Sequence, residues 1–166
     1  MNQDIVPPAI TELLRASGLD YEVMPCDPAL ADTAVFCEHY GIPAEDSVNT
    51  IVVKAKTGGE RFVACALLAP TRLDVNRCVR KRLASRRVSF ASAEETERVT
   101  GMTVGGVTPL GLPPDLPLWV DARIMERPEI ILGGGTRRSK IRVPPAIFER
   151  TPGVEIVDGL ALDPGG

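Results

Sequence analysis

The spacing of apolar residues alternates between helical and strand periods from one end of the chain to the other. Ile10, Leu13 and Leu14 fall at helical spacing within residues 7–17, and Gly18 follows where a left-handed C-cap belongs. Residues 21–24 alternate and predict a short strand before the break that runs from Pro25 to Pro28. A second helix is predicted over residues 29–40, closed by Gly41 and Pro43, with Leu30, Ala34, Val35 and Cys37 facing inward. Val48–Ala55 and Arg61–Leu68 are two runs rich in β-branched and apolar residues around Gly58-Gly59, the pattern of a β-hairpin. Residues 74–83 read as a helix with Val75, Val79 and Leu83 on one face. Val88–Phe90 reads as a strand. Ser92 and Glu95 have the spacing of a capping box for a helix over residues 92–100 that Gly101 stops. Strands are predicted at Leu118–Asp121, residues 129–132 and Ser139–Val143. A helix over residues 144–150, a strand at Val154–Val157 and a frayed tail over residues 160–166 complete the pattern. Helices and strands interleave while several strands are hairpin-linked, which favours an α+β fold with a mixed, mainly antiparallel sheet over a doubly wound parallel one.

The bulk numbers narrow the class. At 166 residues and 17.8 kDa the whole chain fits one domain, since domains commonly run from about 100 to 200 residues. Its core is expected over residues 10–157. With 44% hydrophobic and 25% charged residues it is a folded chain, neither disordered nor fibrous. No apolar run approaches the roughly 20 residues that span a bilayer, and Met1-Asn2-Gln3-Asp4 opens no basic-then-apolar leader. No membrane partner and a cytoplasmic location are expected. Cys26, Cys37, Cys65 and Cys78 are scattered without a C-x-x-C pair, and His39 is the one histidine. Free thiols are therefore expected, with neither a metal site nor a cofactor.

Candidate chemistry gathers in two glycine-rich loops. One holds Gly105, Gly106, Val107, Thr108, Pro109, Leu110 and Gly111; the other holds Gly133, Gly134, Gly135, Thr136, Arg137 and Arg138. Arg138 stands where a dinucleotide fingerprint needs its last glycine, and no Gly-Lys-Ser/Thr precedes a helix, so neither cofactor loop is present. Two readings remain: tight turns between strands, or two loops whose bare backbones approach a ligand and offer N–H groups to an anion or carbonyl oxygen. A lone histidine between Glu38 and Tyr40 leaves no Ser-His-Asp or Cys-His triad, and no Gly-x-Ser-x-Gly elbow occurs. Any hydrolysis here leans on positioned water and backbone oxyanion donors. The net charge of −3 does not point to nucleic acid, and no DNA partner is expected. Local charge differs: Arg72, Arg77, Arg80, Lys81, Arg82, Arg86 and Arg87 form one basic cluster, and Arg137, Arg138, Lys140 and Arg142 form another. Such groups suit a phosphate backbone.

The order of these features carries a resemblance. A Thr-Ile-Val-Val strand from Thr50 is followed by the basic segment. Then come the loop Thr-Gly-x-x-x-Gly-Gly-Val-Thr-Pro-Leu-Gly from Thr100 to Gly111 and the turn Gly134-Gly135-Thr136-Arg137. Together they resemble the YbaK/ProX family, free-standing relatives of the editing domain inserted in bacterial prolyl-tRNA synthetases. The resemblance implies an α/β fold with a barrel-like, mainly antiparallel sheet flanked by helices. It also implies hydrolysis of the ester joining a wrong amino acid to the terminal adenosine of a tRNA. On that reading Gly105, Gly106, Val107, Thr108 and Pro109 receive the aminoacyl end, and Gly133, Gly134 and Gly135 form the facing wall. Thr50 matches the residue after the family's catalytic lysine, and Asn49 stands where that lysine is expected. Lys54 lies on the other face of the same strand.

Two readings follow. In the first the protein is a trans-editing aminoacyl-tRNA deacylase. Asn49 and the amides of Gly105 and Gly106 act on the ester, and Thr50 and the rest of both glycine loops bind the substrate. Arg77, Lys81, Arg137 and Arg138 would then meet tRNA phosphates, with an aminoacyl-tRNA synthetase as candidate partner. In the second, the same fold binds aminoacyl-tRNA or a small ligand without chemistry, and Asn49 marks the lost lysine.

Overall fold

The computed structural model describes residues 6–163. The chain runs α1 (Pro8–Ser17), β1 (Glu22–Pro25), α2 (Thr33–Tyr40), β2 (Val48–Ala55), β3 (Arg61–Leu68), β4 (Arg72–Leu73), α3 (Arg80–Arg82), β5 (Val88–Phe90), α4 (Ala93–Thr100), β6 (Leu118–Asp121), β7 (Ile130–Gly133), β8 (Ser139–Val143), β9 (Val154–Val157) and β10 (Ala161–Leu162). β2 and β3 form the predicted hairpin, in register from Val48 opposite Leu68 to Ala55 opposite Arg61. They sit in a five-stranded sheet of order β5-β2-β3-β6-β9, to which β6 and β9 add in parallel. A second, antiparallel sheet has the order β1-β8-β7, and β4 pairs with β10. Five of the seven strand pairings among the described residues are antiparallel, so the fold is mixed α/β with a mainly antiparallel arrangement. The expected barrel does not close. β2 and β7 meet only at a parallel bridge between Ser47 and Ile131.

The five-stranded sheet is buried on both faces. Ala64, Ala66 and Leu68 of β3 pack with Leu118, Val120, Ile130, Leu132, Ile141 and the α1 residues Ile10 and Leu14. Val63, Cys65 and Leu67 face the other way, onto Leu73, Val79, Leu83 and Leu160. Burial on both faces explains why β3 reads as a continuous apolar run instead of an alternating one.

Three local expectations are corrected. The helix predicted over residues 29–40 is two pieces. A 3-10 turn, Pro28–Leu30, is capped by the Asp27 side chain, and the helix restarts at Thr33. The restart shifts the inward face to Ala31 and Phe36, which pack with Cys26 and Ile131, and leaves Ala34 exposed and Val35 43% exposed. The helix over residues 74–83 begins as a π-helical turn, Val75–Val79, in which Asp74 accepts from the Arg77 N–H. The tail expected to fray from Leu160 instead pairs through β10 with β4, because Leu160 and Ala161 are fully buried in the second core; residues 164–166 lie outside the described residues.

Candidate active site

The site follows from strand geometry. After the Ser47–Ile131 bridge β2 and β7 pair no further, while β5 covers β2 only from Val53 onward. The intervening edge of β2, residues 48–52, forms one wall of a cavity of about 480 Å³. The Ala69 N–H donates to the Ser47 carbonyl, and the Ala91 N–H donates to the Val52 carbonyl. Backbone groups alternate along an antiparallel strand, so the odd residues of β2 bond toward β3 and the N–H and C=O of Thr50 face the cavity side. The remaining walls come from Ala31, Asp32 and Thr33 at the start of α2, from Ala91, Ala93 and Thr96 around the start of α4, from Val104, Gly105 and Val107, and from Gly133 and Lys140.

Three polar side chains define the chemistry of these walls. The Thr33 hydroxyl donates to Asn49 Oδ1 at 2.5 Å, which fixes the amide and leaves its Nδ2 hydrogens as donors. Thr50 Oγ1 is buried and has no hydrogen-bond partner among the described residues. Lys140, 7% exposed, donates from Nζ to the Ala31 carbonyl at 2.6 Å and lies 5.2 Å from the centre of the Phe36 ring. Burial lowers the pKa of its ammonium below the usual lysine value, and neighbouring Arg137 adds to that shift.

The two glycine loops touch each other, which the sequence did not reveal. A Cβ on Gly106 would stand 2.3 Å from the Thr136 carbonyl carbon, and one on Gly133 would stand 2.3 Å from the Val107 oxygen. The Gly135 N–H donates to the Gly106 oxygen at 2.7 Å, the Gly106 N–H to the Thr103 oxygen at 2.9 Å, and the Gly134 N–H to the Ser139 oxygen at 3.2 Å. These amides are therefore committed to holding the loops together, and the expected oxyanion role of Gly106 is not available to its N–H. Gly134 and Gly135 pack against Ser139 and Ile10. Thr108 is fully buried, its hydroxyl accepting from the Leu110 N–H. Pro109 lines a separate cavity with Leu13 and Leu112. Of the residues singled out in the two loops, Gly105, Val107 and Gly133 reach the cavity beside Asn49 and Thr50.

The basic residues divide similarly. Arg137 donates from Nε to the Pro28 oxygen and from Nη1 to Asp32 and the Val104 oxygen. It clips the rim of the cavity together and is spoken for as a phosphate ligand. Arg138, Arg77 and Lys81 are exposed. His39 is exposed too. The four cysteines are free thiols, and burial pushes the Cys65 thiol up to about 12. No group of three or more His, Cys, Asp or Glu that could hold a metal occurs among the described residues.

Sequence reasoning missed Thr33 and Lys140. Lys140 alternates with Arg142 in a basic strand, so its pattern predicts a solvated face; only the packing of Phe36 across β8 turns it into a wall residue.

Comparison with known proteins agrees with this architecture. The family model of the aminoacyl-tRNA editing domain matches residues 27–151. The structure of hypothetical protein APE2540 superposes with a TM-score of 0.80 at 24% identity, over 93% of this chain and 99% of that one. A structure described as a candidate trans-editing enzyme for prolyl tRNA synthetase gives 0.73 at 22% identity, over 92% and 97% of the two chains. A candidate signal transduction protein from Marinobacter aquaeolei VT8 gives 0.62 at 19% identity, over 95% of this chain and 31% of the larger one. At these identities the structural likeness is one of fold, and the same fold serves differently described proteins. The match over residues 27–151 spans every wall of the cavity, and the chain belongs to the aminoacyl-tRNA editing domain family.

Proposed function

We propose that the protein hydrolyses, in trans, the ester that joins a mischarged amino acid to the 3′ end of a tRNA. The observation that carries this reading is the cavity beside the open edge of β2: about 480 Å³, inside the range of about 300–1,000 Å³ typical of small-molecule sites. An aminoacyl group and part of a ribose fit such a volume, whereas the rest of a tRNA stays outside.

The reaction adds water across the acyl bond. The water oxygen bonds to the acyl carbon, the bond from that carbon to the ribose oxygen breaks, and the ribose oxygen leaves with its electron pair and gains a proton. The products are a free amino acid and an uncharged tRNA end. No side chain on the walls is a nucleophile aligned with a base, so the protein's part is positioning and charge stabilisation. The Asn49 Nδ2 hydrogens, held by Thr33, and the Gly105 amide are the donors for the developing oxyanion. Thr50 Oγ1, buried and unpartnered, takes the α-ammonium or the attacking water. The neighbouring hydroxyl of the terminal ribose helps to place that water. Arg77, Lys81 and Arg138, all exposed, meet tRNA phosphates, while Arg137 keeps the rim in shape.

The test is a deacylation assay with tRNA(Pro) charged with alanine, cysteine or serine. Release above the spontaneous rate is expected for at least one of the three, and weaker release by Asn49→Ala. Retention of charged tRNA without release favours the binding reading, in which Asn49 is the mark of lost catalysis.

A further inference from the structure

The cavity is lined by a cation that has no ion-pair partner among the described residues. Lys140 is the one lysine or arginine among the residues lining it. It is only 7% exposed, and among the described residues no carboxylate lies within ion-pair distance of its ammonium. Asp32, the acidic residue on the same wall, is already paired with Arg137 at 3.1 Å. The hydrogen bond from Nζ to the Ala31 oxygen leaves two of its three N–H donors without an acceptor among the described residues. Taking a lysine out of water without a paired opposite charge is costly, and here the cost is offset by one carbonyl, the face of Phe36 and the more distant Asp32 carboxylate, which is itself paired with Arg137. Such a residue is suited to a ligand that brings the missing negative charge with it.

β8 is the middle strand of its sheet, with Lys140 opposite Met24 on one side and Gly133 on the other. Gly133, beside Lys140 in the sheet, packs directly against the Val107 carbonyl. Asn49, held by Thr33 two residues from Ala31, lines the same cavity as a neutral donor. Asn49 and Lys140 are thus both donors on the lining, and Lys140 is the cation of the pair.

We infer that Lys140 supplies the positive charge that faces the ester carbonyl in this cavity, in place of a lysine at position 49. The inference rests on the deacylase reading above. As water adds to the acyl carbon, the carbonyl oxygen gains negative charge; the Lys140 ammonium meets that charge and keeps its own proton throughout. Asn49 then serves as a second, neutral donor to the same oxygen.

The experiment compares wild type with Lys140→Met and Lys140→Gln in single-turnover deacylation of the mischarged tRNA that the wild type hydrolyses. Methionine keeps the length and the apolar stem; glutamine keeps a donor for Ala31 while removing the charge, so it carries the test if the methionine variant fails to fold. The expected result is a kcat lower by about 10²-fold, the effect of losing one oxyanion contact, with KM within a few-fold of wild type. Adding Asn49→Lys to either variant should restore a measurable part of the rate, because the charge returns to the cavity. A folded Lys140→Gln with an unchanged kcat overturns the inference, as does a loss that appears in KM alone or that Asn49→Lys leaves unimproved. A wild type that releases no amino acid instead overturns the deacylase reading. Lys140 is then judged by binding of an aminoacyl-adenosine carrying an amide in place of the ester. Unchanged affinity in Lys140→Gln, or no binding by wild type, overturns the inference in that case.

Discussion

At the scale of single residues the glycines are the most sensitive part of the site. Gly106 and Gly133 do not need a left-handed backbone; they are glycine because another chain segment occupies the space a Cβ would take. Neither neighbour is a flexible side chain end. Gly106→Ala and Gly133→Ala should each lower stability by about 1–3 kcal/mol, the cost of forcing atoms into packed surroundings. They should also lower deacylation, since the loop they hold carries Gly105 and Val107. Gly59→Ala is the control: its φ is +94° and nothing lies within 4 Å of the added carbon, so it should cost stability through backbone strain without touching activity. Urea unfolding of the three variants separates contact from strain. From sequence the loops read as bare backbone for a ligand, and the spacing of the glycines gave no hint that the two loops are each other's nearest neighbours. Only Gly105, Val107 and Gly133 reach the cavity from them.

Among the elements, α4 ties local sequence signals to the cavity wall. Ser92 accepts from the Glu95 N–H while the Glu95 carboxylate accepts from the Ser92 N–H, and the same carboxylate takes a 2.6 Å bond from Lys54 of β2. The Lys54 hydrogen bond, followed by that of the Ser92 backbone, lowers the Glu95 pKa to about 2. A carboxyl whose folded pKa is depressed contributes stability that is complete above its ordinary value and is lost as pH falls toward the folded one. Thermal melting should therefore show part of the acid-induced loss between pH 4.5 and about 2, and Lys54→Met should make that limb shallower. Ser92→Ala should cost about 1 kcal/mol at neutral pH. The capping box, the hairpin and the left-handed glycine caps at Gly18, Gly41 and Gly101 were legible because each depends on residues close in sequence. The break before α2 was not: the 3-10 turn ends at Leu30 and Asp32 takes an extended backbone, so the helix restarts at Thr33 inside a stretch whose pattern reads as one helix.

For the whole molecule, function divides between an inner cavity and an outer charged surface. On the proposed reading, exposed cations bring a tRNA end to the cavity, and their contribution should appear in the salt dependence of binding. With Arg77 and Lys81 both changed to alanine, the slope of log affinity against log salt should become shallower by about 2. A slope unchanged in that variant removes the two residues from the interface. The cavity itself escaped sequence reading because it is made by non-local geometry. β2 and β7, some eighty residues apart in the chain, meet at one bridge and leave the edge at Thr50 open. Family resemblance supplied Asn49, Thr50 and the glycine loops; Thr33 and Lys140 needed the fold.

The most direct measurement of the central claim is amino acid release from mischarged tRNA by wild type and by Thr50→Val, each at saturating enzyme. Thr50 lines the cavity and its Oγ1 is buried with no hydrogen-bond partner among the described residues, so the substitution keeps the shape of the wall and, on the proposed reading, removes the polar atom that a bound substrate satisfies. The account predicts release by wild type well above the spontaneous rate and a markedly slower rate in Thr50→Val, with the fold intact by thermal melting. Equal rates in the two proteins, or no release by wild type from any mischarged tRNA tested, would contradict it.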